Sequence, residues 1–215
     1  MTSAVPNVKP DALRANSYYS ASLNEETSYP ALQGQVSVDV VIIGGGFTGV
    51  ATAVELSERG LQVAIVESHK IGWGATGRNG GQVTGSLSGE AAMHKQMSKT
   101  LGKEVDDFIK NRVAKYAIQC DLKYGHLHTA MKPVHTQELQ ASYDEAVRRG
   151  MGDEVTLLDA KGVREHLQSD LYCAALKNTR NMHLHPLNLC IGEAKAAASL
   201  GARIFENSEV LQIIH

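Results

Sequence analysis

The sequence has few cysteines, no long apolar run and no excess of either charge. Its three cysteines, Cys120, Cys173 and Cys190, lie 53 and 17 positions apart, so no Cys-x-x-Cys pair exists for zinc binding, redox exchange or haem attachment. We expect buried thiols in a reducing compartment. No stretch approaches the ~20 apolar residues of a membrane helix, and the first 35 residues contain no apolar core of signal-peptide length. These absences predict a soluble protein of the cytoplasm.

The charge balance argues against a polyanion as partner. The chain carries 21 Lys and Arg against 23 Asp and Glu, a formal net charge of -2. We therefore expect neither nucleic acid nor membrane as a partner, because both need a broad basic surface. With 215 residues, 43% of them apolar, the chain is long enough for one or two domains of ~150 residues each.

The apolar pattern predicts a discontinuous domain organisation. Residues 1–35 are polar and aperiodic, and are predicted to form an N-terminal arm. Residues 36–89 and 185–215 are predicted to form two parts of one nucleotide-binding domain, because a central parallel strand needs neighbours on both sides. Residues 90–184 are predicted to form a portion of an α+β substrate domain.

A strand, helix, strand unit begins after the arm. The β-branched run of residues 36–43 predicts a central strand that is buried on both faces. Helical spacing follows over residues 50–59 and ends at Gly60, and residues 61–67 form a second short β-branched run. The unit has the ~30 residues that a right-handed crossover between parallel strands needs.

The remaining segments alternate between helical and strand patterns. Residues 71–89 hold seven of the 20 glycines, which predicts a loop. Further helices are expected at 102–121, 137–149 behind a Thr136 cap, and 187–200, with strands at 126–131, 155–158, 202–205 and 210–214. Because the last apolar strand has no partner after it, we expect the chain to be the N-terminal part of a longer protein.

The glycine motif between the first strand and its helix predicts a dinucleotide site. Gly44 allows the tight turn, Gly46 lets the backbone approach a pyrophosphate, and Gly49 lets the helix pack closely on the strand. The helix N-terminus offers free amides to the phosphates. Glu67 ends the next strand, 23 positions after Gly44, where its carboxylate can accept hydrogen bonds from both ribose hydroxyls. This context favours a dinucleotide site over a simple tight turn, and it favours FAD or NAD over NADP as the ligand.

A second glycine-rich loop, Ile-Gly-Trp-Gly-Ala-Thr-Gly-Arg-Asn-Gly-Gly-Gln-Val, covers residues 71–83. An NAD domain has no obvious need for it, whereas FAD has a ribityl chain and a flavin ring that must be threaded between backbone segments. A flexible linker is the alternative, but linkers are rarely built around Trp, Arg and Asn between glycines. The loop therefore favours FAD.

These motifs, with His-Leu-His-Pro-Leu-Asn at residues 183–188, resemble the FAD-dependent oxidases of the D-amino-acid oxidase type, which include glycine and sarcosine oxidases. The resemblance implies an α/β fold, with a Rossmann-like FAD-binding domain and a discontinuous α+β substrate domain. It also implies oxidation of a small amine by hydride transfer to flavin. The imine would hydrolyse to aldehyde and ammonia, and oxygen would be reduced to peroxide.

The resemblance also assigns binding roles. Phe47 and Thr48 are expected at the pyrophosphate, Glu67 and Ser68 at the adenosine ribose, and the backbone of Val210 at adenine. The second loop is expected to contact the remaining phosphate, the ribityl chain and the flavin ring through Ala75, Thr76, Arg78, Asn79, Gly80, Gly81 and Gln82. No residue has the arrangement of a nucleophile or acid–base pair, so no catalytic residue is assigned.

Two other functions remain open from the sequence. The glycine motif and Glu67 also suit an NAD-linked dehydrogenase, and a chain that stops at residue 215 could be a nucleotide-binding fragment without catalysis. A metal site is not expected. Two histidine pairs, at 126 and 128 and at 183 and 185, lack a third ligand in register, so surface or packing roles are favoured.

Overall fold

The computed structural model describes residues 17–84 and 95–214, which form two compact units. The first unit contains residues up to 81, residues 111–121 and residues from 185 onward, and the second contains the rest. Residues 1–16 of the expected arm and residues 85–89 of the glycine-rich segment lie outside the described residues. No helix within the two described ranges is both long and apolar enough to cross a membrane.

Helices and strands alternate along the described chain. The helices are α1 (Tyr18–Ala21), α2 (Phe47–Glu58), α3 (Lys95–Lys115), α4 (Thr136–Arg148), α5 (Ala160–Arg164) and α6 (Pro186–Ser199). The strands are β1 (Val40–Ile43), β2 (Val63–Val66), β3 (Gln82–Val83), β4 (Lys123–Ala130), β5 (Val155–Asp159), β6 (Ala174–His183) and β7 (Arg203–Phe205). Short 3-10 turns occupy Ala75–Arg78, Pro133–His135 and Gly152–Glu154.

The first unit is built on a parallel sheet with the strand order β1-β2-β7. One face of the sheet, carrying Ile65 and Ile204, packs against Val54 of α2 and Ala194 of α6 in a single apolar cluster. The parallel pairing of β1 with β2 confirms the predicted strand, helix, strand unit. The recruitment of β7 confirms that a strand near residues 202–205 joins this sheet.

The prediction that the first strand is central and buried on both faces was wrong. Among the described residues β2 is the central strand, and all four of its residues are buried. β1 lies at the edge, where Val41 and Ile43 are each 56% exposed. The physical reason is that β1 pairs on one side only among these residues, so its outward-facing side chains receive no cover.

The predicted strand at residues 210–214 was also wrong. Residues 208–214 have no regular secondary structure, and Leu211 and Ile214 are 88% and 83% exposed. A β-branched run becomes a strand only when another strand supplies hydrogen bonds, and no described strand pairs with this segment. Its apolar pattern alone was therefore insufficient.

The second unit contains an antiparallel sheet in which β6 pairs with β3, β4 and β5. Leu139 and Ala146 of α4 pack on this sheet against Val155 and Leu176. β6 was not predicted from the sequence, although it pairs with more strands than any other described strand of this unit.

Two helix boundaries in the sequence analysis were wrong. His135, not Thr136, occupies the N-cap of α4, because the 3-10 turn before it runs directly into the helix and the Thr136 hydroxyl donates to the carbonyl of Pro133. The helix expected at 102–121 is α3, which ends at Lys115. Ala117 has a φ of 50°, a left-handed conformation that cannot continue an α-helix.

Candidate functional site

The first glycine motif forms a tight turn between β1 and α2. Gly44 has a φ of 103°, which favours glycine, and its amide donates to the carbonyl of Val66 at 2.9 Å. A Cβ added to Gly49 would overlap the carbonyl oxygen of Gly44, so only glycine allows the helix to approach this closely. Gly46 is the N-cap of α2, and an added Cβ would lie 3.0 Å from Thr76 Oγ1.

An open cavity of about 450 Å³ lies at this turn and the N-terminus of α2. It is lined by Ile43, Gly44, Gly46, Phe47, Thr48, Gly49, Ala75, Thr76 and Asn79. The first turn of α2 has no acidic side chain, so nothing on it repels an anion. The amide of Phe47 donates to Thr76 Oγ1 at 3.2 Å, which links the first glycine loop to the second. Backbone amides at a helix N-terminus are well suited to bind phosphate groups.

Glu67 follows β2 and is largely buried, with 12% of its side chain exposed. Its Oε2 accepts a hydrogen bond from the amide of Gly45 at 2.6 Å. Its Oε1 accepts from the amide of His69 at 2.8 Å and from Ser68 Oγ at 3.2 Å. A carboxylate has about four acceptor positions, so three donors leave roughly one for a ribose hydroxyl. Glu67 therefore also shapes the first loop, a role that the sequence analysis did not foresee.

The second glycine-rich loop is shaped by its own side chains. Asn79 Oδ1 accepts from the amide of Gly81 at 2.8 Å, and its Nδ2 donates to the carbonyl of Thr76 at 2.8 Å. Arg78 Nε donates to the carbonyl of Trp73 at 3.3 Å, and its guanidinium lies 5.2 Å from the centre of the Trp73 ring. Both side chains thus hold the loop in its folded form.

Trp73, the only tryptophan of the chain, stacks on His69. Their ring centres are 4.0 Å apart and the two planes differ by 11°. This stack joins the residues after Glu67 to the start of the second glycine-rich loop. It also places a natural fluorescent reporter between the two predicted binding segments.

Seven of the predicted contacts are not among the residues that line the cavity at the α2 N-terminus: Glu67, Ser68, Arg78, Gly80, Gly81, Gln82 and Val210. Gly80 is exposed on the second loop, and Gln82 belongs to the second unit, where it pairs with His183 in the sheet. Val210 lines a different cavity of about 620 Å³, together with Val41 and Phe205. The segment before it does reach Glu67, because the amide of Ser208 donates to the Glu67 carbonyl at 2.8 Å.

His185 has a structural role at the start of α6. Its Nδ1 accepts from the amide of Asn188 at 3.1 Å, which caps the helix, and its Nε2 lies 3.1 Å from Ser22 Oγ. Since Nδ1 accepts, the neutral ring carries its proton on Nε2 and donates to Ser22. Burial lowers the pKa of His185 below its ordinary 6.5. No group of three or more metal-binding side chains occurs in the described parts of the chain.

One buried carboxylate beside this site, that of Glu206, was not predicted from the sequence. Glu206 follows β7 and is fully buried, with partners in the arm and in the connection after Glu67. One signal was available, because Glu206 directly follows an apolar strand, as Glu67 does. Without the pairing of β7 to β2, however, a glutamate at a strand end is most simply interpreted as exposed to solvent.

A family model described as DAO, FAD dependent oxidoreductase, matches residues 39–215. The chain belongs to this family of FAD-dependent oxidoreductases. Its cofactor is therefore FAD, and the α/β fold with a Rossmann-like sheet that the motifs implied is confirmed. The family match favours FAD over the NAD-linked alternative. The glycine cradle, into which a Cβ at Gly46 would project, and the free end of α2 fit a pyrophosphate of this cofactor.

The chain is similar to three known proteins along most of its length. It is 38% identical over 208 residues to gamma-glutamylputrescine oxidoreductase of Escherichia coli, covering 93% of this chain and 49% of that protein. It is 36% identical over 208 residues to the probable oxidoreductase OrdL of Haemophilus influenzae, covering 92% and 48%. The glycine oxidase structure from Bacillus cereus matches with a TM-score of 0.67 and 25% identity, covering 83% and 48%.

The chain thus spans about half the length of the curated relatives it matches. Within the family its motifs resemble gamma-glutamylputrescine oxidoreductase, and the similarity to the Escherichia coli protein confirms that resemblance.

Proposed function

We propose that the protein catalyses the FAD-dependent oxidation of a small primary amine that resembles gamma-glutamylputrescine. The observation that carries this proposal is the 38% identity to gamma-glutamylputrescine oxidoreductase, which extends over 93% of the chain. In the proposed reaction the carbon beside the amine nitrogen loses a hydride and the nitrogen loses a proton. The resulting imine takes up water and yields an aldehyde and ammonia. FAD, when bound, supplies the two-electron acceptor, and oxygen regenerates it with release of hydrogen peroxide.

The described residues of the first unit would hold the cofactor. Gly46, Phe47 and Thr48 would contact the pyrophosphate, because they border the cavity at the N-terminus of α2. Glu67, helped by Ser68, would accept a hydrogen bond from the ribose with its remaining acceptor position.

The assignments for the second glycine-rich loop and for Val210 rest on the family pattern. Ala75, Thr76, Arg78, Asn79 and the residues up to Gln82 would contact the remaining phosphate, the ribityl chain and the ring. We keep the backbone of Val210 as the adenine contact, because residues just before it bond to the end of β2. We assign no catalytic residue.

The proposed partners are the amine substrate and oxygen, and we place the reaction in the cytoplasm. The near balance of charge, -2 overall, gives no support for a nucleic acid or membrane partner. For the complete protein we propose that one FAD-binding domain contains residues 36–89 and 185–215, and that residues 90–184 form a portion of the substrate domain.

The test is to purify the protein at its full natural length and record its absorption spectrum and peroxide production. We expect flavin absorption that survives gel filtration, and peroxide on addition of gamma-glutamylputrescine. Glycine and a simple diamine serve as comparison substrates. A colourless protein would contradict the cofactor assignment, whereas flavin without peroxide from any amine would contradict only the amine oxidation.

A further inference from the structure

Glu206 is a fully buried carboxylate outside both glycine-rich loops, with 0% of its side chain exposed. Its Oε1 accepts from the amide of Ile71 at 2.9 Å. Its Oε2 accepts from the amide of Tyr29 at 3.0 Å and from Lys70 Nζ at 3.0 Å. Burying an ionised carboxylate is costly unless it is paired and hydrogen-bonded, and here both conditions are met.

The donors to Glu206 come from two segments that are distant in sequence. Tyr29 belongs to the N-terminal arm, and the carbonyl of Pro30 in the same arm accepts from the Glu206 amide at 3.2 Å. Lys70 ends the connection that follows Glu67, and Ile71 is the first residue of the second glycine-rich loop. One side chain therefore ties the arm and this connection to the end of β7.

The connection held by Glu206 also supports the first glycine loop. Ile71 is completely buried, and a Cβ on Gly45 would overlap its Cδ1 atom, so the two residues are in close contact. The amide of Gly72 donates to the carbonyl of Gly45 at 2.9 Å. Fixing Ile71 through Glu206 therefore fixes the spacing between the first loop and the start of the second.

Glu206 also determines what Lys70 can do. Lys70 lies three residues after Glu67, which is the expected ribose contact, and its side chain is only 18% exposed. Because it is paired with Glu206 at 3.0 Å, its charge is neutralised within the protein. A phosphate near the ribose would have to compete with this buried pair.

We propose that Glu206 is a positioning residue for FAD, which sets the distance between the two glycine-rich loops through Lys70 and Ile71. This inference rests on the proposed function of these loops in binding FAD. A ligand that needs both loops should depend strongly on Glu206. A ligand that needs only the first loop and Glu67 should depend on it little.

The test compares FAD with ADP in the full-length protein and in Glu206→Gln, with dissociation constants measured on the apoprotein. The isosteric amide keeps one acceptor oxygen and cannot satisfy all three donors. We expect the dissociation constant for FAD to rise by about tenfold or more and that for ADP by less than about threefold. Equal changes for the two ligands, or no change for FAD, would overturn the proposal.

Two further variants keep the test decisive. Lys70→Met with Glu206→Gln removes both buried charges, so it should fold even if the single variant does not, and it should show the same FAD-specific loss. Glu25→Gln is the matched control, because Glu25 pairs with Lys195 at 2.6 Å on an exposed surface of the same unit. It should leave both dissociation constants unchanged, and an equal loss in this control would overturn the proposal.

The wild-type titration separates the two proposals. If the wild type itself fails to bind FAD, the proposed function is contradicted together with this inference. If the wild type binds FAD and Glu206→Gln binds it equally well, only the positioning role is contradicted.

Discussion

Glu67 and Glu206 follow neighbouring strands of the same parallel sheet, yet their surroundings differ. The side chain of Glu67 is 12% exposed and accepts hydrogen bonds from two backbone amides and Ser68, and within the described residues it forms no ion pair with a lysine or arginine. Glu206 is 0% exposed and is paired with Lys70. The contrast fits our proposal that Glu67 contacts the ribose of FAD whereas Glu206, whose charge is balanced by Lys70, supports the fold from inside.

The largest expected difference between the two carboxylates is in stability. Glu206→Ala would remove the acceptor of the Tyr29 and Ile71 amides and leave the Lys70 ammonium, among the described residues, with only Ser28 Oγ at 3.4 Å, which we expect to lower the free energy of unfolding by about 3–5 kcal/mol. Glu67→Ala should cost only about 1–2 kcal/mol, because water can reach the donors of the exposed Ser68 and the partly exposed His69 and only the Gly45 amide would stay buried without a partner. Urea unfolding followed by circular dichroism measures both. Similar costs for the two variants would show that the comparison is wrong.

The Gly46→Val variant tests cofactor binding separately from the stability that the two carboxylates provide, since Glu67 and Glu206 are both retained. The branched side chain would enter the cavity at the N-terminus of α2, so FAD affinity should fall by at least about a hundredfold. Thr52→Val, which alters an exposed position of the same helix, is the control and should bind FAD normally. If Gly46→Val folds and retains FAD at wild-type stoichiometry, the assignment of this loop is incorrect.

Glu193 provides a third buried carboxylate, which sharpens the comparison because the favourable effect of Arg112 on its charged form does not offset its burial. Burial raises the pKa of Glu193 to about 7, while Arg112 opposes the rise. Its folded-state pKa exceeds the ordinary 4.5, so this group makes stability fall as pH rises from about 4.5 to about 7.

Glu193→Gln should remove that loss and raise the free energy of unfolding at pH 8 by about 1–3 kcal/mol. At pH 4 the gain should largely vanish, because the wild-type carboxyl is then neutral in both states. Chemical unfolding at the two pH values measures the difference. A lower free energy of unfolding for Glu193→Gln than for the wild type at pH 8 would contradict this prediction. It would mean that the Glu193 carboxylate is stabilised by its partners to the same extent as the Glu206 carboxylate.

The smallest expected effect concerns His185, which anchors the arm to α6 without a carboxylate. Its folded-state pKa is lowered, so its contribution is present above pH 6.5 and is lost as pH falls through the folded value. Protonation of Nδ1 would remove the cap of α6, at a cost of about 1 kcal/mol. His185→Asn keeps a capping acceptor at every pH, and should reduce the loss of stability between pH 7 and pH 5 relative to wild type. An unchanged pH profile would contradict this role.

Local pattern was sufficient to predict the elements around the first glycine loop. The run from Val40 to Ile43, the three glycines and the second run at Val63–Val66 each impose a local conformation, so the strand, helix, strand unit followed from spacing alone. Gly44 and Gly49 have the conformational and packing roles that the motif predicts, with a φ of 103° at Gly44. The family and its cofactor followed from this motif together with the second glycine-rich loop and residues 183–188.

Features that depend on distant partners could not be predicted in this way. The edge position of β1 depends on which strands pair with it, and β6 was missed because its sequence contains only one β-branched residue, Thr179. The support provided by Glu206 depends on Tyr29, 177 positions away along the chain. The cap at His185 depends on Ser22 in the arm in the same manner.

The most direct test of the central claim, that the two glycine-rich loops bind FAD, is an equilibrium titration that follows the fluorescence of Trp73. This single tryptophan lies near the start of the second loop and stacks on His69, with the ring centres 4.0 Å apart. We predict that FAD quenches its emission to saturation at one equivalent per chain, while NADH at the same concentrations produces no saturable change. Saturable binding of NADH without binding of FAD would contradict the account.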